Sequence, residues 1–192
     1  MNYLQVYTNA FASPEYSAQD HVQYHYVTDL LDKLALQSPR VIDIGSGRGQ
    51  LIQRIRQRHP SAHITSVDLS RFHDEKVDAF VRCDLSVAAD RESLAGTYGI
   101  LTCTDVLEHL DKSYLDAVLR RFSEMAGLSI LAIANHSDVI NGVELHTIQE
   151  DHHFWEGRMS RHFEILDRQY MYGGRLYMYV VAPLKPVIAQ AH

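Results

Sequence analysis

The sequence has little of what would place it in several common classes of protein. It contains only two cysteines, Cys83 and Cys103, which lie in or beside predicted core strands in unrelated segments. No disulfide framework is therefore indicated, and a reducing cytoplasm is expected. No apolar run approaches the roughly 20 residues that span a bilayer, and the N-terminus lacks the charged-then-apolar pattern of a signal peptide. We therefore expect a cytoplasmic protein without a membrane partner.

An excess of positive charge is also missing. The formal net charge is −6 at pH 7, whereas proteins that grip a phosphate backbone usually present a basic face. Arg54, Arg56 and Arg58 form a short basic run, but the run lies on a predicted helix and is interpreted as a solvated face. Nucleic acid is therefore not the expected partner. The hydrophobic content of 46% predicts a packed globule rather than a disordered chain.

Strand-like and helix-like segments alternate from residue 39 onward. Strands are predicted over residues 40–44, 64–67, 77–82, 98–103 and 128–134, and the main helices between them over residues 50–58 and 111–126. This alternation predicts a parallel sheet that is wound on both faces. Gly173-Gly174 separates two further strand-like runs, 165–172 and 176–181, which is typical of an antiparallel hairpin. The expected fold is α/β: a doubly wound, mostly parallel seven-stranded sheet with a C-terminal antiparallel hairpin, in a three-layer α/β/α sandwich.

A glycine-rich loop follows the first predicted strand, in the segment VIDIGSGRG at residues 41–49. Glycines let the chain turn sharply and let a ligand approach the backbone. Asp68 comes 23 residues after Gly45, at the end of the next strand, where a carboxylate can accept both ribose hydroxyls of an adenosine. The spacing is G-x-G-x-G rather than G-x-G-x-x-G, and Asp43 would repel a pyrophosphate but suit a cationic ligand. A nicotinamide-dependent dehydrogenase is therefore disfavoured.

Four segments resemble the motifs of the class I S-adenosylmethionine-dependent methyltransferases. VIDIGSGRG is similar to their first motif, SVDLS at residues 66–70 to the second, RCDL at residues 82–85 to the third, and residues 98–110, which end in VLEHL, to the fourth. The resemblance covers residues 39–182 and implies S-adenosyl-L-methionine as the cofactor. The cofactor-binding residues that it implies are Asp43, Gly45, Ser46, Gly47, Gly49, Asp68, Leu69, Asp84, Leu85, Thr104 and Asp105.

The resemblance also implies a division of labour within a single domain of residues 1–192. Residues 1–38, which include an amphipathic helical pattern, are expected to form a lid, and residues 39–134 the cofactor-binding core. Residues 135–163 are expected to be an insertion at the acceptor site, and residues 164–182 the C-terminal hairpin. The sequence leaves open whether the protein forms a homodimer.

Histidines are the candidate catalytic groups. If the acceptor is a hydroxyl, a base helps to remove its proton, and histidine suits neutral pH. We expect one of His109, His146 and His153 to be that base, without a preference among them; His109 could equally be a packing or capping residue.

A metal site is the alternative role for the segment after the fourth strand. Asp105, Glu108 and His109 form D-x-x-E-H, which is similar to the E-x-x-E-H triplets that bind a divalent metal in Hen-type small-RNA 2′-O-methyltransferases and in some ubiquinone-pathway O-methyltransferases. The first position here is one methylene shorter, and V-L-E-H-L also occurs in relatives without a metal. No metal ligand is therefore assigned.

The predicted activity is O-methylation of a small hydroxylated molecule, such as a sugar or a secondary metabolite. No aromatic–proline motif of the N-P-P-Y type, which suits amino-group acceptors in the family, follows the fourth strand; Thr104-Asp105-Val106-Leu107 stands there instead. Two alternatives stay open: a metal-assisted RNA-terminal 2′-O-methyltransferase and a non-catalytic cofactor-binding subunit.

Overall fold

The computed structural model describes residues 3–12, 21–140 and 142–185, and only the backbone at residues 3, 4 and 10–12. The helices are α1 (Tyr3–Ala12), α2 (Val22–Leu34), α3 (Gln50–Arg58), α4 (Ala88–Ser93), α5 (Lys112–Met125) and α6 (His152–Met159), with a 3₁₀ turn over Leu107–His109. The strands are β1 (Arg40–Ile44), β2 (His63–Asp68), β3 (Ala79–Arg82), β4 (Tyr98–Thr104), β5 (Ala126–Ala134), β6 (Val139–Ile140), β7 (Val143–Glu144), β8 (Phe163–Met171) and β9 (Leu176–Pro183).

Seven strands form one sheet in the order β3-β2-β1-β4-β5-β9-β8. The first five strands of that order are parallel, whereas β9 runs antiparallel to both β5 and β8. The hairpin turn contains Tyr172, Gly173 and Gly174, all with positive φ, which is a conformation that glycine adopts readily. The predicted hairpin is therefore present, and its second strand lies between β5 and the edge strand β8.

Helices cover both faces of this sheet. Strand side chains alternate between the two faces, and apolar strand residues pack against helices on each of them. On one face, Val41, Ile64 and Ile100 pack with apolar residues of α2 and α3. On the other face, Ile42 and Ile44 belong to a larger cluster that includes the apolar stripe of α5, namely Leu115, Val118, Leu119 and Phe122, and Trp155 and Met159 of α6. This arrangement confirms the predicted three-layer α/β fold.

Local differences from the sequence-based expectations are small. The third strand begins at Ala79 rather than at residue 77, and the insertion contains a short two-stranded sheet, β6–β7, that was not predicted. Residues 1, 2 and 13–20 of the predicted lid lie outside the described residues.

The basic run on α3 is held by ion pairs. Arg56 pairs with Asp78, and Arg58 pairs with both Asp29 and Asp32 of α2. The positive charges of Arg56 and Arg58 are therefore balanced within the protein, in agreement with the interpretation of this run as a structural, solvated face.

Cys83 and Cys103 are buried free thiols. In the part of the chain that the structure describes, no helix has the length and apolar character needed to cross a membrane.

Candidate active site

The carboxyl ends of β1 and β4 lie side by side at the point where the strand order of the sheet reverses, from β3-β2-β1 on one side to β4-β5 on the other. Ile44 at the end of β1 lies opposite Val67 of β2 on one side and Cys103 of β4 on the other. In open α/β sheets, the crevice beyond such a reversal is the usual ligand site. A cavity of about 660 Å³ opens there, within the range of roughly 300–1,000 Å³ for small-molecule sites.

The loop between β1 and α3 needs glycine at each of its three glycine positions. Gly45, Gly47 and Gly49 have φ values of 72°, 50° and 79°, in the region where an L side chain is strained. A Cβ atom on Gly45 would also lie 2.2 Å from Cγ2 of Val106. The loop therefore packs directly against the segment that follows β4, so that residues after β1 and residues after β4 lie next to each other in the site.

Backbone hydrogen bonds hold this loop in shape. The amides of Gly45 and Ser46 both donate to the carbonyl oxygen of Val67, at 2.8 and 3.2 Å, and the amide of Gly49 donates to Ser46 O at 2.9 Å. The end of β2 thus supports the loop from behind.

Asp68 connects the loop to the second strand. Its Oδ2 accepts from the amide of Gly47 at 2.8 Å, and its Oδ1 accepts from the amide of Leu69 at 2.7 Å. Burial raises the pKa of Asp68 to about 6, although these backbone donors act in the opposite direction. The carboxylate lies at the tip of β2, and its role as the ribose ligand stays a prediction.

Asp43 lies beneath the loop with its side chain fully inside the protein. Its Oδ1 accepts from the hydroxyl of Thr102 at 2.7 Å. Burial, opposed by the Thr102 hydrogen bond and assisted by the charge of Asp68, raises the pKa of Asp43 to about 7. A cation bound above the loop would favour the ionised form of this carboxyl group.

The cavity wall contains part of the predicted cofactor set. The predicted residues in the wall are Gly45, Ser46, Gly47, Thr104 and Asp105. The predicted residues outside the wall are Asp43, Gly49, Asp68, Leu69, Asp84 and Leu85. Asp68 holds the loop through the amide of Gly47, whereas Asp43 accepts from Thr102 of β4. Asp84 accepts from the amide and hydroxyl of Ser86, and Leu85 is a core residue. The cofactor-contacting roles of all these residues stay predictions.

Two of the three candidate histidine bases come together at the other end of the cavity. The rings of His109 and His146 are 4.7 Å apart, centroid to centroid, and both line the cavity together with His136. His153 lies on α6, is exposed and is not part of the cavity wall. Burial, followed by the charge of His146, lowers the pKa of His109 to about 3, so its ring is neutral at physiological pH.

A buried carboxyl group, that of Glu108, accompanies these histidines. Glu108 is fully buried; its Oε1 accepts from the amide of Ala134 at 2.7 Å, whereas its Oε2 has no hydrogen-bond partner among the described residues. Burial raises the pKa of Glu108 well above its ordinary value, and the charge of Asp105 acts in the same direction. Glu108, His109 and His146 each offer one potential metal-ligand atom, and these atoms lie within 4.8 Å of one another.

Glu144 positions the loop that contains His146. Its carboxylate accepts from the hydroxyl of Ser137, from the amide of Asp138 at 2.9 Å and from the amide of His146 at 3.0 Å. These hydrogen bonds, with the Ser137 hydroxyl as the largest influence, lower the pKa of Glu144 to about 2. One surface carboxylate thereby fixes the backbone on both sides of the β6–β7 hairpin.

Each of the two N-terminal helices sends a side chain to the acceptor end. The hydroxyl of Tyr7 on α1 is 2.7 Å from Nδ1 of His109, and Nε2 of Gln23 on α2 donates to Oδ2 of Asp105 at 2.5 Å. Asp105 has a φ of 55°, which is uncommon for a residue with a side chain. These contacts place α1 and α2 over the site, as expected for the lid, whose function stays a prediction.

Several residues of the site were missed by sequence reasoning. Tyr7, Gln23 and Thr102 reach it from distant parts of the chain, and no local pattern distinguishes them. His73 is a further example: it is buried, and its Nε2 lies 3.1 Å from Ser66 Oγ, which donates to Ser46 Oγ at 2.7 Å. A polar residue at an inward position of β2, as Ser66 is, was the available signal for this network.

Residues 18–170 match the family model described as the methyltransferase domain. The match covers most of the chain, including the glycine loop, Asp68 and the histidine cluster. The chain belongs to this methyltransferase family. The predicted enzyme class, a methyltransferase, is thereby confirmed. The structural relatives named below were solved with S-adenosylhomocysteine bound, in agreement with the predicted Rossmann-like class and the predicted cofactor.

Solved structures of methyltransferases share the fold of this methyltransferase. A 1,6-didemethyltoxoflavin N1-methyltransferase from Burkholderia thailandensis is 17% identical with a TM-score of 0.66, and covers 95% of this chain and 89% of its own. The N-methyltransferase NodS from Bradyrhizobium japonicum is 12% identical with a TM-score of 0.67, and covers 96% and 100%. A magnesium protoporphyrin IX methyltransferase from Synechocystis is 16% identical with a TM-score of 0.64, and covers 93% and 92%. No curated protein matches this chain in sequence.

Proposed function

We propose that this methyltransferase transfers the methyl group of S-adenosylmethionine to a hydroxyl group of a small molecule, such as a sugar or a secondary metabolite. The glycine loop and Asp68 would hold the nucleoside, and the ionised form of Asp43 would favour the cationic side of the cofactor. The acceptor would enter beside His109 and His146. This arrangement uses the two ends of one cavity, with the sulfonium between them.

The histidine pair beside the buried carboxyl group of Glu108 is the observation that carries the choice of oxygen. A hydroxyl must lose a proton as its oxygen attacks the methyl carbon, so a nearby group that accepts or displaces this proton accelerates the step. The segment after β4, Thr104-Asp105-Val106-Leu107, offers no aromatic ring of the kind that suits an amino group. The chemistry at this end of the cavity is therefore suited to an oxygen acceptor.

The positions and pKa shifts of the three candidate bases favour one of them. His153 lies away from the cavity, and His109 with a pKa of about 3 is a weak proton acceptor at neutral pH, because a base works best when its pKa is near the operating pH. His146 is therefore the preferred candidate for contact with the acceptor's proton.

Small-molecule chemistry is supported by what the structural relatives are named for. One is bound to 1,6-didemethyltoxoflavin, and another is named for magnesium protoporphyrin IX. Their names include N-methylation, so the choice of oxygen depends on the site of this chain alone. Two buried free thiols support a reducing cytoplasm as the place of the reaction.

The test is transfer of a ¹³C-labelled methyl group to matched acceptors. Pairs that differ only in hydroxyl versus amino group, drawn from sugars and phenols, are incubated with the enzyme, and the product methyl carbon is assigned by NMR as O-bound or N-bound. We expect O-methyl products that depend on His146 and persist in His153→Ala. Transfer to amines alone would overturn the proposal. Short RNAs with a free terminal 2′-hydroxyl serve as a third arm, and preference for them would favour the RNA-terminal alternative.

A further inference from the structure

We propose that Glu108, His109 and His146 form a binding site for a divalent first-row transition-metal ion, and that this ion binds the acceptor's oxygen atom. The first half concerns the protein alone, whereas the second half rests on the proposed function. The site lies at the acceptor end of the cavity, and its ligands come from two segments, the 3₁₀ turn after β4 and the loop after β7.

The two histidines have the hydrogen bonds that metal-ligating histidines have. Nδ1 of His109 lies 3.1 Å from Leu145 O, and Nδ1 of His146 lies 2.6 Å from His136 O. Since a carbonyl oxygen only accepts, Nδ1 of His146 must carry the proton and donate to His136 O. Nδ1 of His109 also lies 2.7 Å from the hydroxyl of Tyr7, which can accept as well as donate, and a proton on this Nδ1 is the arrangement that satisfies the carbonyl of Leu145. In the neutral rings, Nε2 then carries the lone pair. Histidine ligands almost always donate their other ring N–H to a carbonyl or a carboxylate in this way, which fixes the tautomer and the orientation of the ring.

Glu108 supplies a carboxylate oxygen that lacks a partner. Its Oε1 is held by the amide of Ala134, and its backbone oxygen accepts from the amide of Ile148 at 3.0 Å. Its Oε2 is buried without a hydrogen-bond partner in the described part of the chain. An unsatisfied buried carboxyl group is costly, and a cation between Oε2 and the two imidazoles would satisfy it.

The distances are compatible with one ion. The three potential ligand atoms lie within 4.8 Å of one another. Metal–nitrogen bonds of about 2.1 Å place ligands on opposite sides of an ion about 4.2 Å apart, so small side-chain movements suffice. Asp105 is not a member of this group; its Oδ2 accepts from Gln23, and its Oδ1 is buried without a hydrogen-bond partner among the described residues. The three potential ligands are therefore Glu108 and His109 of the D-x-x-E-H triplet together with His146 of the insertion.

The ligand set indicates the kind of ion. Two imidazoles and one carboxylate suit Zn²⁺, Co²⁺ or Fe²⁺ better than Mg²⁺, which prefers oxygen ligands. Three protein ligands leave coordination positions for water or for a substrate oxygen. Such an ion lowers the pKa of a bound hydroxyl group.

The resulting transfer is balanced without an oxidant. The acceptor's O–H proton leaves to solvent, a lone pair of the oxygen forms the new C–O bond, and the C–S bond breaks with its electron pair going to sulfur. The products are a methyl ether, S-adenosylhomocysteine and a proton. In this scheme His146 is a ligand and not a free base.

The test of the site is a titration of the chelator-treated protein with Co²⁺, without cofactor or acceptor, followed by the ligand-field absorption of the ion in the visible region. We expect one Co²⁺ per chain, displaced by Zn²⁺. Glu108→Gln, which keeps the shape and removes the charge, and His146→Ala should each weaken binding at least about 10-fold. His153→Ala, an exposed histidine outside the cavity, is the matched control and should bind as the unmodified protein does.

A second measurement keeps the test independent of how the variants fold. Mn²⁺ added to the ¹⁵N-labelled unmodified protein should broaden the backbone amide signals of residues 108–109 and 145–147 first. Broadening elsewhere, absence of bound Co²⁺, or unchanged Co²⁺ binding in folded His146→Ala would overturn the site. O-methylation that continues in excess chelator would overturn the metal's role and leave the proposed function intact. If the protein binds the ion but methylates only amines, the proposed function would be overturned and the metal site would stand.

Discussion

Replacing Gly45 by alanine tests how tightly the cofactor loop is pressed against the rest of the site. At a φ of 72°, an L side chain costs about 1–2 kcal/mol. The new Cβ would meet Cγ2 of Val106 at 2.2 Å, far inside the roughly 3.5–4.0 Å of an ordinary carbon contact, and relieving such overpacking costs about 1–3 kcal/mol more. We expect Gly45→Ala to lower the free energy of unfolding by about 2–5 kcal/mol.

Two companion variants separate the two contributions. Gly142 has a similar φ of 77°, but no atom lies within 4 Å of the Cβ that alanine would add. Gly142→Ala should therefore show the backbone contribution alone, about 1–2 kcal/mol. Val106→Ala removes the methyl group that clashes, so combining it with Gly45→Ala should recover about 1–3 kcal/mol relative to the sum of the single variants.

Urea unfolding followed by circular dichroism measures these differences, and titration with S-adenosylhomocysteine reports on the loop itself. We expect unchanged unfolding slopes and shifted midpoints, which is the signature of a change in stability. The reasoning is refuted if Gly45→Ala is no more destabilising than Gly142→Ala, or if Val106→Ala brings no recovery.

Three further predictions concern the charged groups. Between pH 4 and 7 the folded state holds a proton on Asp43, because the pKa of this carboxyl group is raised from 3.8 to about 7, whereas the unfolded chain has released that proton. The free energy of unfolding should therefore fall as pH rises across this window, by up to about 4 kcal/mol. Asp43→Asn should flatten this pH dependence, as measured by urea unfolding. Asp68→Ala should abolish calorimetrically detected binding of S-adenosylhomocysteine while circular dichroism shows a retained fold; unchanged affinity would exclude Asp68 as the ribose ligand. Glu144→Gln should weaken the hydrogen bonds that hold the loop of His146, and faster amide exchange at residues 137–146, without faster exchange in β4, is the expected result.

The fold could be predicted from the sequence because its signals are local and repeated. The apolar run at residues 130–134 of β5 indicates a strand covered on both faces, and the Gly173-Gly174 pair indicates the hairpin. The β6–β7 sheet escaped prediction because each of its strands has two residues, too short for any periodicity to be visible.

The glycine loop and the place of Asp68 at the end of β2 could also be predicted, whereas the contacts at the acceptor end could be predicted only in part. The glycine spacing and the position of Asp68 are fixed by the connection between neighbouring strands. Tyr7 and His109 are separated by 102 residues and Gln23 and Asp105 by 82, and contacts of that kind depend on how whole helices pack. Of three similar histidine candidates, the structure brings two to the cavity, a distinction that residue type cannot make.

The backbone hydrogen bonds from Gly45 and Ser46 to Val67 have a consequence for the catalytic cycle. The loop that would receive the nucleoside keeps its shape by contacts within the protein, so the ligand has no main chain to order when it arrives. Little binding free energy is therefore lost to ordering the loop, and the demethylated product can leave without a change in the conformation of the loop. Turnover would then be governed by how α1 and α2 uncover the acceptor end, where their side chains contact His109 and Asp105.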